Sequence, residues 1–144
     1  MSNLSLYPLF RALTGAAVLA AASGLVLLGQ DDKVARGKYL AEEVARCEDC
    51  HTPRLMTGEL VKSAWLKGAT LDFAPVTQTQ GWRQKSPDIT STSALWSRWG
   101  DDGMTAFLET GKNPRGTKAG APMPTYNLSH EDATAIVAYL KSLK

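Results

Sequence analysis

The chain has 144 residues, a mass of 15.5 kDa and a formal net charge of +2 at pH 7. This length suits one folded domain with a single core, which disfavours a multidomain enzyme. Hydrophobic residues make up 44% of the chain and charged residues 21%, the range of globular rather than disordered proteins. Because 16 Lys and Arg face 14 Asp and Glu, the charge offers no support for nucleic acid as a partner.

The first predicted element is an apolar N-terminal segment. Residues 12–29 carry no charge; Arg11 precedes them, and Asp31 and Asp32 follow. Such flanks deliver the downstream chain across a membrane. At about 1.5 Å per helical residue the run nearly spans a bilayer core of about 30 Å, but the small residues 20–22 resemble a signal cleavage site. We therefore expect residues 1–30 to be a signal peptide or membrane anchor, and residues 31–144 to be periplasmic or on the outer face of the cytoplasmic membrane.

Three amphipathic helices are predicted after this segment, because apolar residues recur at steps of three and four. The first starts near Val34 and ends near Cys47, a short second one covers residues 104–110, and Ser129 caps the last. We expect Gly37 and Tyr139 to meet where the first and last helices cross. The roughly forty residues between His51 and Ser93 show no period, which suggests that they wrap a ligand. No strand is predicted, so the fold class is all-α.

The residues that carry chemistry are Cys47, Cys50 and His51, which form a CxxCH motif and include both cysteines of the chain. In c-type haem attachment two such thiols bind the vinyl groups, and the adjacent histidine reaches the iron. Two alternatives are a redox disulfide, which belongs in a βαβ context, and zinc, which needs two further ligands when His130 is the only other histidine. The motif therefore predicts one covalent haem c with His51 as an axial ligand.

The second axial ligand is predicted to be Met123. Pro122 and Pro124 hold its backbone extended, which suits a loop that presents one thioether. Two other residues are candidates: Met104 is expected to fill the core from the apolar face of its helix, and His130 is expected to face solvent. Four aromatic residues are candidates for either haem contact or ordinary core packing: Trp82, Trp96, Trp99 and Tyr126.

With these motifs in view, the chain resembles the class I monohaem c-type cytochromes over residues 32–144, and it is similar to the cytochrome domains associated with periplasmic dehydrogenases. The likeness rests on residues 37–40, the run CEDCHTP at 47–53, residues 122–124 and the final helix pattern. The resemblance implies the cytochrome c fold, Cys47 and Cys50 as thioether donors, and His51 and Met123 as axial ligands. The long loop leaves the carbonyls of Pro53 and Pro87 as alternative acceptors for the second His51 nitrogen.

The function expected from the motif and the resemblance is one-electron transfer without catalytic turnover. The partners would be other redox proteins, such as a dehydrogenase or a terminal oxidase, met through a small transient interface. The alternative is a membrane-anchored cytochrome subunit of a dehydrogenase or oxidase complex. A haem enzyme or gas sensor needs an open sixth position, and Met123 argues against one.

Overall fold

The structure is a computed structural model that describes residues 29–143. The expected signal or anchor segment, residues 1–30, therefore lies almost wholly outside the described residues. Residues 33–144 form one compact unit. In the described part of the chain, no helix is both long enough and apolar enough to cross a membrane.

The compact unit is mainly helical, and a long irregular loop separates its second and third helices. The elements in chain order are α1 (residues 29–39) with a π-helical turn (Leu40–Val44), α2 (Cys47–His51), a 3-10 turn (Lys62–Ala64), β1 (Ala69–Thr70), β2 (Lys85–Ser86), α3 (Ala94–Thr110) and α4 (His130–Ser142). The strands pair antiparallel, with Ala69 opposite Ser86. The prediction of no strands is wrong here, because a two-residue strand is too short to show a period of two.

Helices α1 and α4 cross at Gly37, which confirms the predicted contact between the terminal helices. A Cβ atom at Gly37 would lie 1.9 Å from the Ala135 carbonyl oxygen and 2.9 Å from the Tyr139 Cβ. The absence of a side chain at Gly37 therefore lets the backbone of α4 approach closely. The sequence analysis expected an aromatic ring at this contact. Beside the crossing, Arg36 Nε donates to Asp132 Oδ1 at 2.8 Å.

The sequence predicted a first helix that ends near Cys47. The cysteines lie instead on a separate short helix, α2. The π-helical turn closes with a bond from Ala45 N to Leu40 O at 2.8 Å. Arg46 then adopts the left-handed conformation, with φ 54°. Since a left-handed residue cannot continue a right-handed helix, the chain turns and restarts at Cys47.

Helix α3 begins at Ala94, where the Ser93 hydroxyl accepts from Trp96 N at 3.2 Å, and it ends at the left-handed Gly111 as predicted. The prediction covered only its second half, because Gly100 has non-helical angles and breaks the apolar period. Helix α4 is capped as predicted: the Ser129 hydroxyl accepts from Asp132 N at 3.2 Å.

The core lies between α1, α3 and α4 and includes two residues of the long loop. Met104 is 4% exposed, which confirms its expected place in the core. The other large side chains of this contiguous buried cluster are Leu66, Ile89, Trp96, Leu108, Ile136, Val137, Tyr139 and Leu140. The long loop therefore supplies core residues and is part of the packed unit.

We expect Gly37→Ala to destabilise the protein by about 1 to 3 kcal/mol, because the methyl group would overlap the Ala135 carbonyl and force the helices apart. Urea unfolding of the protein, followed by far-UV circular dichroism, measures the change. Lys33→Ala, at an exposed position of the same helix, is the control and should change little. A Gly37→Ala protein as stable as the control would contradict the close crossing.

Candidate functional site

Helix α2 places the three motif residues within five positions. Cys47 is 8% exposed, Cys50 is half-buried and His51 is 5% exposed. A five-residue helix is unstable alone, so side chains must hold it. Asp49 supplies one such link: its carboxylate accepts from Arg46 Nε at 3.1 Å and from Arg54 Nη2 at 2.8 Å.

The two thiols do not have the character of a redox pair. Burial raises the pKa of the Cys47 thiol to about 12, and it also raises the pKa of Cys50. A catalytic CxxC shows the opposite shift, since the thiolate is the nucleophile. Among the described residues, no group of three His, Cys, Asp or Glu side chains is able to bind a metal. The raised pKa values of the two thiols disfavour the redox-disulfide alternative.

His51 is held in the tautomer that leaves Nε2 unprotonated. Its Nδ1 lies 2.8 Å from the Pro87 carbonyl oxygen, which only accepts, so Nδ1 carries the proton. Burial lowers the pKa of His51, and the bond to Pro87 offsets part of that effect. Of the two carbonyls considered, the structure selects Pro87, since the Pro53 carbonyl accepts from Val61 N. A neutral ring oriented through its second nitrogen is the usual state of a metal-binding histidine.

A buried chain of hydrogen bonds connects the end of α2 to the segment that carries Pro87. The Thr52 hydroxyl accepts from Leu66 N at 2.9 Å, and Ile89 N donates to Leu66 O at 3.1 Å. Thr52 is 1% exposed and Leu66 is fully buried, with the left-handed φ of 57°. The backbone N–H of Leu66 is thus bonded to Thr52, which follows His51, and its carbonyl is bonded to Ile89, which lies close to Pro87 in the chain. Leu66 therefore links the His51 side of the site to the Pro87 side.

Two hydrogen bonds hold the segment around Met123. One lies within the segment, and the other joins it to the residue that follows the π-helical turn. Met123 N donates to Gly120 O at 3.2 Å, and the Tyr126 hydroxyl donates to the Ala45 carbonyl at 3.0 Å. Burial, assisted by the nearby Cys47 thiol, raises the pKa of Tyr126 to about 12. A residue three positions after Met123 is therefore bonded to one two positions before Cys47, and it lies close to the Cys47 thiol.

The two other candidates for the second axial ligand lie at the surface and in the core. His130 is exposed at the surface, where its Nδ1 is 2.7 Å from Glu109 Oε1, and Met104 is in the core. Three of the four aromatic candidates also have hydrogen-bond partners within the protein, Tyr126 through its bond to the Ala45 carbonyl. Trp96 Nε1 donates to Asp101 at 3.1 Å, and Trp82 Nε1 donates to Gln84 at 2.9 Å.

Glu48 is a residue of the site that the sequence analysis missed. It occupies a variable position of the CxxCH motif, yet it is only 5% exposed. Its Oε1 lies 3.4 Å from Arg46 Nε, while its Oε2 is buried without a hydrogen-bond partner among the described residues. Burial raises the pKa of Glu48. No sequence pattern marks it, because CxxCH does not specify the two residues between the cysteines.

We expect Thr52→Val to cost about 1 to 3 kcal/mol, because it leaves the buried Leu66 N–H unpaired while keeping the side chain's shape. Thermal unfolding of the protein measures the loss. The matched control is Thr110→Val, whose hydroxyl also accepts a backbone N–H, from Lys112 at 3.2 Å, but in an exposed place where water can substitute. Equal losses in both variants would show that the Thr52 bond is not special.

We expect Glu48→Gln to stabilise the protein at neutral pH. The folded-state pKa of Glu48 is raised, so ionisation costs more in the folded than in the unfolded protein, and stability falls as pH rises above 4.5. Near pH 4 and below, both residues are neutral and the variants should be equally stable. Urea unfolding across this pH range tests the difference. A Gln variant that is less stable at neutral pH would mean that the contact with Arg46 outweighs burial.

A family model described as cytochrome c matches residues 34–144. The chain is 36% identical over 115 residues to the fructose dehydrogenase cytochrome subunit of Gluconobacter japonicus, covering 75% of this chain and 21% of that protein. It is 38% identical over 111 residues to a diheme cytochrome c-type protein of Cereibacter sphaeroides, covering 74% and 34%.

A third relative is the gluconate 2-dehydrogenase cytochrome c subunit of Pantoea cypripedii, 32% identical over 124 residues, covering 79% of this chain and 27% of that protein. The chain therefore spans between a fifth and about a third of the length of these relatives.

Proposed function

Because this chain belongs to the cytochrome c family of haem-binding electron-transfer proteins, we propose that it is a one-electron carrier with a single covalent haem c in residues 31–144. The observation that carries the proposal is the buried His51 ring, whose Nδ1 is bonded to the Pro87 carbonyl and whose Nε2 is left as a ligand. The single haem follows from the single CxxCH motif, which contains both cysteines of the sequence.

Four side chains would hold the haem. Cys47 and Cys50 would form the thioether bonds, and His51 Nε2 and Met123 Sδ would be the axial ligands. A haem held in this way supplies an iron centre that alternates between the ferric and ferrous states, and methionine ligation favours the ferrous state. The buried surroundings of His51 exclude water from its side of the site. The Pro87 carbonyl would fix the orientation of the imidazole ring.

The partners would be redox proteins, because the chain transfers electrons and leaves substrate chemistry to another protein. Two of the relatives are named cytochrome subunits, of fructose dehydrogenase and of gluconate 2-dehydrogenase. These names support a dehydrogenase as the electron donor, with a terminal oxidase or another carrier as the acceptor. We place the protein in the periplasm or on the outer face of the cytoplasmic membrane, with residues 1–30 as its signal peptide or anchor.

The second candidate function is a membrane-anchored cytochrome subunit of a dehydrogenase or oxidase complex, with which the names of the two subunit relatives are compatible. Cell fractionation separates the two. A free carrier appears as a monomer in the periplasmic wash, whereas a subunit appears in detergent extracts and elutes together with larger chains.

We expect Met123→Ala to abolish the weak long-wavelength band that reports a sulfur–iron bond in the ferric protein, and to allow the ferrous protein to bind carbon monoxide. The physical reason is that alanine leaves the sixth position without a ligand from this chain. Visible spectra of the oxidised and reduced protein, with and without carbon monoxide, measure both effects.

Met104→Leu is the control, because it replaces a methionine of similar volume in the core and should keep the band. A band that survives in Met123→Ala would remove Met123 as the ligand. If the wild-type protein contains no covalent haem, the proposed function itself fails.

A further inference from the structure

The Ser86 hydroxyl joins the β-ladder to the end of α2. It donates to the Cys50 carbonyl at 2.5 Å and accepts from Ala69 N at 2.9 Å. The Ala69 carbonyl is 3.3 Å away, but a hydroxyl has one proton, and the shorter contact to Cys50 uses it. Cys50 lies next to the last residue of α2, where a helix leaves its carbonyl groups without helical partners. Ser86 therefore satisfies a carbonyl that the helix cannot.

Gly68 and Pro87, which lie close to Ser86, form hydrogen bonds to His51, the residue after Cys50. Gly68 N donates to the His51 carbonyl at 2.8 Å, and the Pro87 carbonyl accepts from the His51 ring at 2.8 Å. Gly68 has a φ of +85°, and a Cβ there would lie 2.7 Å from Ser86 O and 2.8 Å from Asp88 N. The segments around Gly68 and Ser86 are therefore closely packed. Three hydrogen bonds, from the Ser86 hydroxyl, from Gly68 N and to the Pro87 carbonyl, hold Cys50 and His51 to the β-ladder.

We propose that Ser86 is a positioning residue of the haem site: its hydroxyl fixes the end of α2, so that the His51 ring stays hydrogen-bonded to the Pro87 carbonyl. This inference rests on the proposed function, because it concerns His51 as an axial ligand. Ser86 does not touch the ring. It acts through the Cys50 carbonyl, which precedes His51 in the chain, and through Pro87, which follows Ser86.

The expected consequence of losing the hydroxyl follows from ligand chemistry. A hydrogen bond from Nδ1 to a carbonyl makes the imidazole a stronger electron donor, and a stronger donor stabilises ferric over ferrous iron. When α2 is held less firmly, this bond lengthens on average and the donor weakens. Removal of the Ser86 hydroxyl should therefore raise the reduction potential.

The experiment compares Ser86→Ala and Ser86→Thr with Ser91→Ala. Ser91 is the matched control because its hydroxyl also donates to a backbone carbonyl, that of Leu143 at 3.0 Å, away from His51. The reduction potential is measured by spectroelectrochemistry, amide exchange at Gly68 by NMR, and the unfolding equilibrium by urea titration. Each alanine variant loses one ordinary hydrogen bond, so each should shift the unfolding constant by about fivefold and still fold.

The proposal expects that only Ser86→Ala raises the potential and speeds exchange of the Gly68 amide, and that Ser86→Thr, which keeps a hydroxyl, restores both. It is overturned if the potential and the Gly68 exchange of Ser86→Ala match the wild type. It is also overturned if Ser91→Ala changes them as much. All comparisons are made against wild-type holoprotein, so an absence of covalent haem in the wild type counts against the proposed function and is seen before any variant is compared.

Discussion

The hydrogen bond between His51 Nδ1 and the Pro87 carbonyl joins two parts of the chain that are far apart in sequence, and the arrangement of the site depends on it. A buried imidazole needs a partner for its N–H, because an unpaired polar group in the interior is costly. Pro87 can be that partner only if the long loop returns to α2. The 2.9 Å bond from Leu66 N to the Thr52 hydroxyl helps to bring it back. The loop is thus a structural part of the site, although it contains little regular structure.

The long loop packs against α1 and α4 near the point where these helices cross. Close approach at Gly37 brings the polar ends of three side chains together next to the crossing. The Tyr139 hydroxyl donates to Glu42, and Trp65 Nε1 donates to the same Glu42 oxygen at 3.2 Å. Trp65 belongs to the loop, so this cluster ties the loop to both terminal helices. The loop that carries Pro87 is therefore also bonded to both terminal helices.

The sequence predicted the parts of the fold that depend on local rules. The cap at Ser129, the stop at Gly111 and the buried Met104 follow from capping and periodicity. The break at Arg46 and the first half of α3 were missed, because a left-handed residue and a kink at Gly100 are set by tertiary packing. Within the site, the motif named the cysteines and the histidine. It could not choose Pro87 over Pro53, since that choice depends on a loop without any period.

Glu48 shows why a motif is an incomplete description of its own site. CxxCH specifies the groups that bind the cofactor, and the positions between them are free to vary as far as that chemistry is concerned. In this protein one of those positions points a carboxylate into the interior, where Arg46 reaches only one of its oxygens. The raised pKa of Glu48 means that burial outweighs this ion pair. Helix α2 therefore carries an energetic cost beside its cysteines and His51, and the bonds made by Asp49, Thr52 and Ser86 offset that cost and keep the helix in place.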